Sequence, residues 1–147
     1  MPITPNVTGT SSEAVAINGT PVFSASHSLP GTSELHVDLV VETGPTHNII
    51  FGFSDHRQVR YLFIKNTGAG KLQFPAGGAN FEFDPGDSFS ATGLMAERFA
   101  AQLFSPSVGT ASGIHTQSAT GGSLLVVEAP GTQSARIQAL VLINDQT

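Results

Sequence analysis

The sequence predicts an all-β protein, an antiparallel β-sandwich or jelly roll preceded by an extended N-terminal arm. Three observations carry this reading. Short apolar runs alternate with polar residues at a period of two, which sets one face on a core and the other in solvent. The 16 glycines and 9 prolines cut the chain into short pieces. Charged residues make up only 12% of the chain, about half the usual share, whereas a helical protein fills its exposed faces with Glu and Lys. At 147 residues the simplest organisation is an arm over 1–13 and one sandwich domain over 14–147, long enough to bury a core without metal or disulfide support.

Taken in order, the polar segment MPITPNVTGTSSE (1–13) lacks the apolar residues to bury itself and orders only against something else. A partner subunit is the natural anchor. Strand candidates follow at Ala14–Ile17, Glu34–Val41, Asn48–Phe53, Val59–Asn66, Leu72–Phe74, Phe81–Phe83, Ser88–Ala91, Ser123–Glu128 and Ala135–Asn144. Pro-Gly, Gly-Gly and Asn-Thr-Gly turns separate them, the pattern of a sandwich. LMAERFAAQLF (94–104) stands apart. Its strong helix formers, with Met95, Phe99 and Leu103 every four residues, favour one short helix stopped by Ser105-Pro106; a strand with Phe99, Ala101 and Leu103 inward fits almost as well. Pro30-Gly31-Thr32 before LHVDLVV is echoed by Pro130-Gly131-Thr132 before ARIQALV. Pro-Gly-Thr is a common turn into a strand, so the echo does not establish a repeat.

Charge is unevenly placed. Residues 1–56 hold five acids (Glu13, Glu34, Asp38, Glu42, Asp55) and no Lys or Arg. Four of the six bases, Arg57, Arg60, Lys65 and Lys71, fall within fifteen residues. An ordinary solvated strand pair accounts for them; an acidic face of one copy meeting this basic segment on a neighbour is the sharper reading. A net charge of −5 without a long basic run disfavours nucleic acid as a partner.

The motifs that would carry chemistry fail one by one. KNTGAGKLQF (65–74) resembles a phosphate loop, but Lys65 stands where the first glycine belongs, Leu72 where the magnesium-binding hydroxyl belongs, and Pro75 breaks any following helix. We read strand 59–66, a turn at 67–70 and a return strand KLQF: a hairpin. The histidines at 27, 36, 47, 56 and 115 show no local ligand pairing, so no metal site is expected. Asp84-Pro85-Gly86-Asp87 resembles the turn of the metal-binding cupins, but their histidines are missing. It reads as a β-turn rather than a calcium loop. GFSDH (52–56) sets Ser, Asp and His side by side, where alternation sends neighbours to opposite faces, so no hydrolytic relay forms. With no cysteine there is neither a disulfide nor a thiolate site. No cofactor is expected.

No basic, apolar leader precedes the domain and no apolar run is long enough to cross a bilayer, which implies a soluble, intracellularly made chain without a membrane partner. The sequons at Asn6-Val7-Thr8 and Asn18-Gly19-Thr20 are therefore read as chance. Phenylalanines cluster mid-chain, at 51, 53, 63, 74, 81, 83 and 89, with no Trp and one Tyr. That is a core composition rather than a sugar-binding surface.

The stretch YLFIKNTGAGKLQFPAGGANFEFDPGDSFSATG (61–93) resembles small β-sandwich accessory proteins of tailed bacteriophage virions, in particular head decoration, or cement, proteins. The resemblance covers about a fifth of the chain and is one of style. It implies a non-enzymatic virion protein on the capsid surface, made in the host cytoplasm. Such a protein forms an oligomer, most often a trimer, and clamps neighbouring major capsid protein subunits. Candidate contact residues are Pro2, Ile3, Pro5 and Val7 of the arm, with Arg57, Arg60, Lys65 and Lys71. A tail, neck, fibre or glycan-binding module, and a jelly-roll enzyme, are the alternatives.

Overall fold

The computed structural model describes residues 7–31, 33–53, 55–75, 81–107, 115–116 and 122–144. Two four-stranded sheets form the body. The first has the order β3 (Ser33–Val41), β12 (Ala135–Ile143), β5 (Val59–Asn66), β8 (Ser88–Thr92), antiparallel throughout. The second runs β10 (His115–Thr116), β4 (His47–Phe51), β11 (Gly122–Val127), β9 (Ser105–Ser107), antiparallel but for the short β10–β4 pairing. A small pair, β6 (Leu72–Phe74) with β7 (Phe81–Phe83), and one helix, α1 (Gly93–Leu103), complete the core. This is the all-β sandwich that the period-two alternation predicts.

The alternation explains the packing. On β12, Ile137, Ala139, Val141 and Ile143 are buried, and their neighbours Val37, Val41, Leu62 and Ile64 share that face. Ile49, Phe51, Leu125 and Val127 of the other sheet join the same core. Phe51 and Phe53 meet Phe104 edge-on at 5.1 and 5.0 Å, the offset geometry that ring quadrupoles favour.

α1 forms where the sequence favours a helix, and of the expected Met95, Phe99 and Leu103 stripe Leu103 is buried and Phe99 packs against the core. Ala96, Ala100 and Leu103 are its buried residues, an i, i+4, i+7 set. Met95 is 54% exposed, and the helix packs against β5 and β8. The two Pro-Gly-Thr segments lead into β3 and β12, which are neighbours within one sheet.

The expected 59–74 hairpin is corrected. β5 pairs with β12 and β8, while Leu72–Phe74 pairs with Phe81–Phe83. The loop between them turns away to lie on the 133–136 segment: Thr67 N–H donates to the Arg136 carbonyl at 2.8 Å and Gly70 N–H to that of Ser134 at 2.9 Å. A Cβ on Gly68 or Gly70 would collide with the backbone of Ala135–Arg136 or Gln133. The glycines are there for close approach, not for a phosphate.

Asn66 ties this corner together. Fully buried, its amide donates to the carbonyls of Gly70 (2.8 Å) and Phe83 (3.0 Å), and its side-chain oxygen accepts from Gly68 N–H (3.0 Å) and Arg136 N–H (3.3 Å). Its backbone also pairs with Asp87 and Gly86. That holds the Asp84–Asp87 turn, in which Asp87 N–H returns to the Asp84 carbonyl and Gly86 takes φ +90°.

Candidate functional site

Among the described residues, one strand pair lies outside both four-stranded sheets and adds no residue to the core cluster. Strands β1 (Val7–Ile17) and β2 (Thr20–Gly31) pair with each other, and among the described residues with no other strand, in a ribbon of eleven and twelve residues. Asn18 at φ +51° and Gly19 at φ +80° make the two-residue connection, the left-handed pair that matches the twist of a hairpin. Residues 7–13, expected as an arm without strand structure, are thus the first half of β1. Beyond the ribbon, β2 comes against β12 and β5. These strands carry Tyr61, Leu142, Phe63 and Leu140 on the face turned away from the main core.

From Ala14 to Ser26 every residue except Ala25 is exposed. Yet the tip is apolar: Val15 is 47% exposed, Ile17 59%, Val22 55% and Phe23 53%. Val15 and Phe23 are cross-strand partners, Ile17 follows Val15 on the same side of β1, and a bulge between Val15 and Ala16 accommodates Val22. Such bulges re-aim side chains. No charged residue lies between Ala14 and Ser26. A two-stranded ribbon is marginal by itself in water, and an apolar cluster at its end gains stability only when something covers it.

The residues singled out from the sequence sit elsewhere. Pro2, Ile3 and Pro5 lie outside the described residues. Val7 opens β1, opposite Gly31. The four bases do not converge. Arg57 sits in a 3-10 turn (His56–Gln58) and forms a two-pronged ion pair with Asp55 at 2.7 and 3.1 Å. Asp55 also caps that turn, and the Arg57 hydrogen bonds hold its carboxyl down at about 2. Arg60 spends its guanidinium on the carbonyls of Arg57 and Val59. Lys65 is five residues further along β5, about 17 Å at a strand's rise. Lys71 pairs with Glu82 at 3.2 Å and reaches Asp84 at 3.9 Å. Two of the four bases, Arg57 and Lys71, are thus paired with local acids.

The remaining chemistry is sparse. His56 lies 3.7 Å from Asp55, and Ser54 lies outside the described residues. Among the described residues no three His, Asp or Glu side chains gather as a metal site requires. His47 is buried, with neither ring nitrogen hydrogen-bonded. An open groove of about 320 Å³ on the outer sheet face is lined by His36, Asp38, Phe63, Gln138 and Leu140. Its carboxylate is already committed: Asp38 accepts from Arg136 at 2.7 and 3.0 Å and from Gln138 at 3.4 Å, and the Arg136 hydrogen bond holds its pKa below the ordinary value. The hairpin tip is the stronger candidate.

No known protein family matches the chain, and no curated protein or solved structure is detectably similar to it.

The hairpin was missed because its signals were weak or misassigned. Ala14–Ile17, expected as a strand, is the end of β1, but the half remote from the turn is rich in Ser and Thr without clean alternation, and the Asn18-Gly19 dipeptide was absorbed into a glycosylation sequon. Asn-Gly between two β-capable runs is the signal that would have found it.

Proposed function

We propose that this chain is a non-enzymatic structural protein that joins neighbouring subunits of a larger protein assembly, with the β1–β2 hairpin as its attachment element. The observation that supports this is the apolar, uncharged tip, whose Val15, Ile17, Val22 and Phe23 are exposed. Covering such a tip removes apolar surface from water, and a ribbon 11 residues long reaches about 37 Å, enough to cross a subunit boundary. The more specific form of the proposal is a decoration protein on a bacteriophage capsid, oligomeric and contacting the major capsid protein. That form rests on the resemblance of residues 61–93.

The test is to add the purified chain to capsids of a phage whose genome encodes it, stripped of accessory proteins, and to heat them. Binding at a fixed copy number per capsid, with shells that open at a higher temperature than bare ones, is the expected result. Capsids that neither bind the chain nor change their opening temperature would contradict the decoration role.

A further inference from the structure

We infer that the groove on the outer face of the β3–β12–β5–β8 sheet binds a neutral saccharide, between an apolar and a polar row of side chains. This goes beyond the attachment role and does not rest on it. Strand register sets the two rows. His36, Leu140 and Phe63 are cross-strand partners on β3, β12 and β5, and Asp38, Gln138 and Lys65 are the partners two residues along. Rows so spaced lie about 7 Å apart, close enough for one sugar unit to touch both. On the other side of the apolar row, Tyr61 and Leu142 are only 6% and 3% exposed, where β2 comes against β5 and β12. The face is covered there and opens here into a groove of about 320 Å³.

A saccharide presents an apolar C–H face and an edge of hydroxyls, each of which donates and accepts. The first needs a flat apolar seat. Phe63 is half-buried, and of the seven mid-chain phenylalanines it alone packs in the outer cluster, while the other six belong to the main core or lie against it. The core reading of that composition therefore leaves one ring for this face, and a ring is the natural seat for C–H groups. The second needs donors and acceptors already held in place. Asp38 accepts two hydrogen bonds from Arg136 and one from Gln138. An ionised carboxylate has about four acceptor sites, so Asp38 is fixed without being saturated. Gln138 brings both a donor and an acceptor group, and His36 stands exposed at the end of the apolar row. Charge selects a neutral ligand. On this face the acids Glu34 and Asp38 are matched by the bases Lys65 and Arg136, so with His36 neutral neither sign of ligand is favoured.

A groove open on one side buries only part of its ligand, so a dissociation constant on the order of 1 mM is expected. The test is an NMR titration of the isotope-labelled full chain. The probes are methyl glycosides of glucose, galactose and N-acetylglucosamine and neutral oligosaccharides built from them, with glucuronic acid as the charged control. The expected result is a saturable shift of the His36, Phe63, Gln138 and Leu140 amides with a neutral probe, at lower concentration than with glucuronic acid. Gln138→Leu and Phe63→Leu should each weaken that binding by about tenfold. Where Phe63→Leu lowers the melting temperature, His36→Ala, at an exposed position, carries the same test. No saturable shift with any neutral probe would overturn the inference. So would shifts centred away from the groove, or tighter binding of glucuronic acid. Each of these outcomes leaves the hairpin's attachment role where it stands, since that is read from capsids.

Discussion

Asn66 is the residue whose loss the fold should feel most per atom. Its side chain satisfies four backbone groups at a buried to half-buried corner, and leaving such groups unpaired costs more than the bonds themselves contribute. Asn66→Ala should destabilise the protein by about 2–4 kcal/mol, read from the urea midpoint at unchanged slope. Gly70→Ala should cost about 1–3 kcal/mol, because its Cβ meets backbone rather than a side chain that could swing aside. Asp55 gives a pH signature. Its folded pKa of about 2 lies below the unfolded value of about 3.9, so its contribution to stability is present above about pH 4 and fades as the pH falls toward 2. A carboxyl-detected NMR titration should place its midpoint at about 2 in the native chain and nearer 4 in Arg57→Gln. Identical midpoints in the two proteins would remove Arg57 as the cause.

At the scale of elements, the longer strands of the body were legible because each buries one face: VRYLFIKN and ARIQALVLI alternate so plainly that their limits follow within a residue, whereas β9 and β10, of three and two residues, are too short to show a period and were not expected. The pairings were less legible. A Gly-rich turn after β5 looks like a hairpin from its own residues, and only the distant segment 133–136, which packs on Gly68 and Gly70, sends the chain elsewhere. The hairpin hid for the opposite reason. It buries little of its own, so no hydrophobic period marks it, and its turn dipeptide carried a second meaning. Two consequences belong here. Gly19→Ala at φ +80° should strain the turn by about 1–2 kcal/mol. Hydrogen exchange of the β1 and β2 amides should then accelerate while the melting of the sandwich stays unchanged. Deleting residues 1–13 should act more strongly, since Ala25 to Gly31 then lose their partners; the body should still unfold cooperatively while attachment weakens. A deletion variant that is unfolded, or that attaches as tightly as the full chain, would contradict the division of labour between ribbon and body.

For the molecule as a whole, the attachment role proposed above would place stability and attachment in different parts. The sandwich, closed over Phe51, Phe53, Phe74 and the aliphatic rows of β12 and β5, accounts for folding. The tip of the ribbon carries apolar side chains that folding alone leaves exposed. That separation is what an accessory subunit of an assembly requires, and it makes the two parts separable by mutation. The most direct measurement is sedimentation of stripped capsids with the native chain and with the Val15→Thr/Phe23→Ser double variant, side by side with thermal unfolding of both. If the hairpin tip is the attachment element, the variant should melt within a degree or two of the native protein, as exposed substitutions do, yet stay in the supernatant while the native chain pellets. A variant that pellets as fully as the native chain would contradict the account.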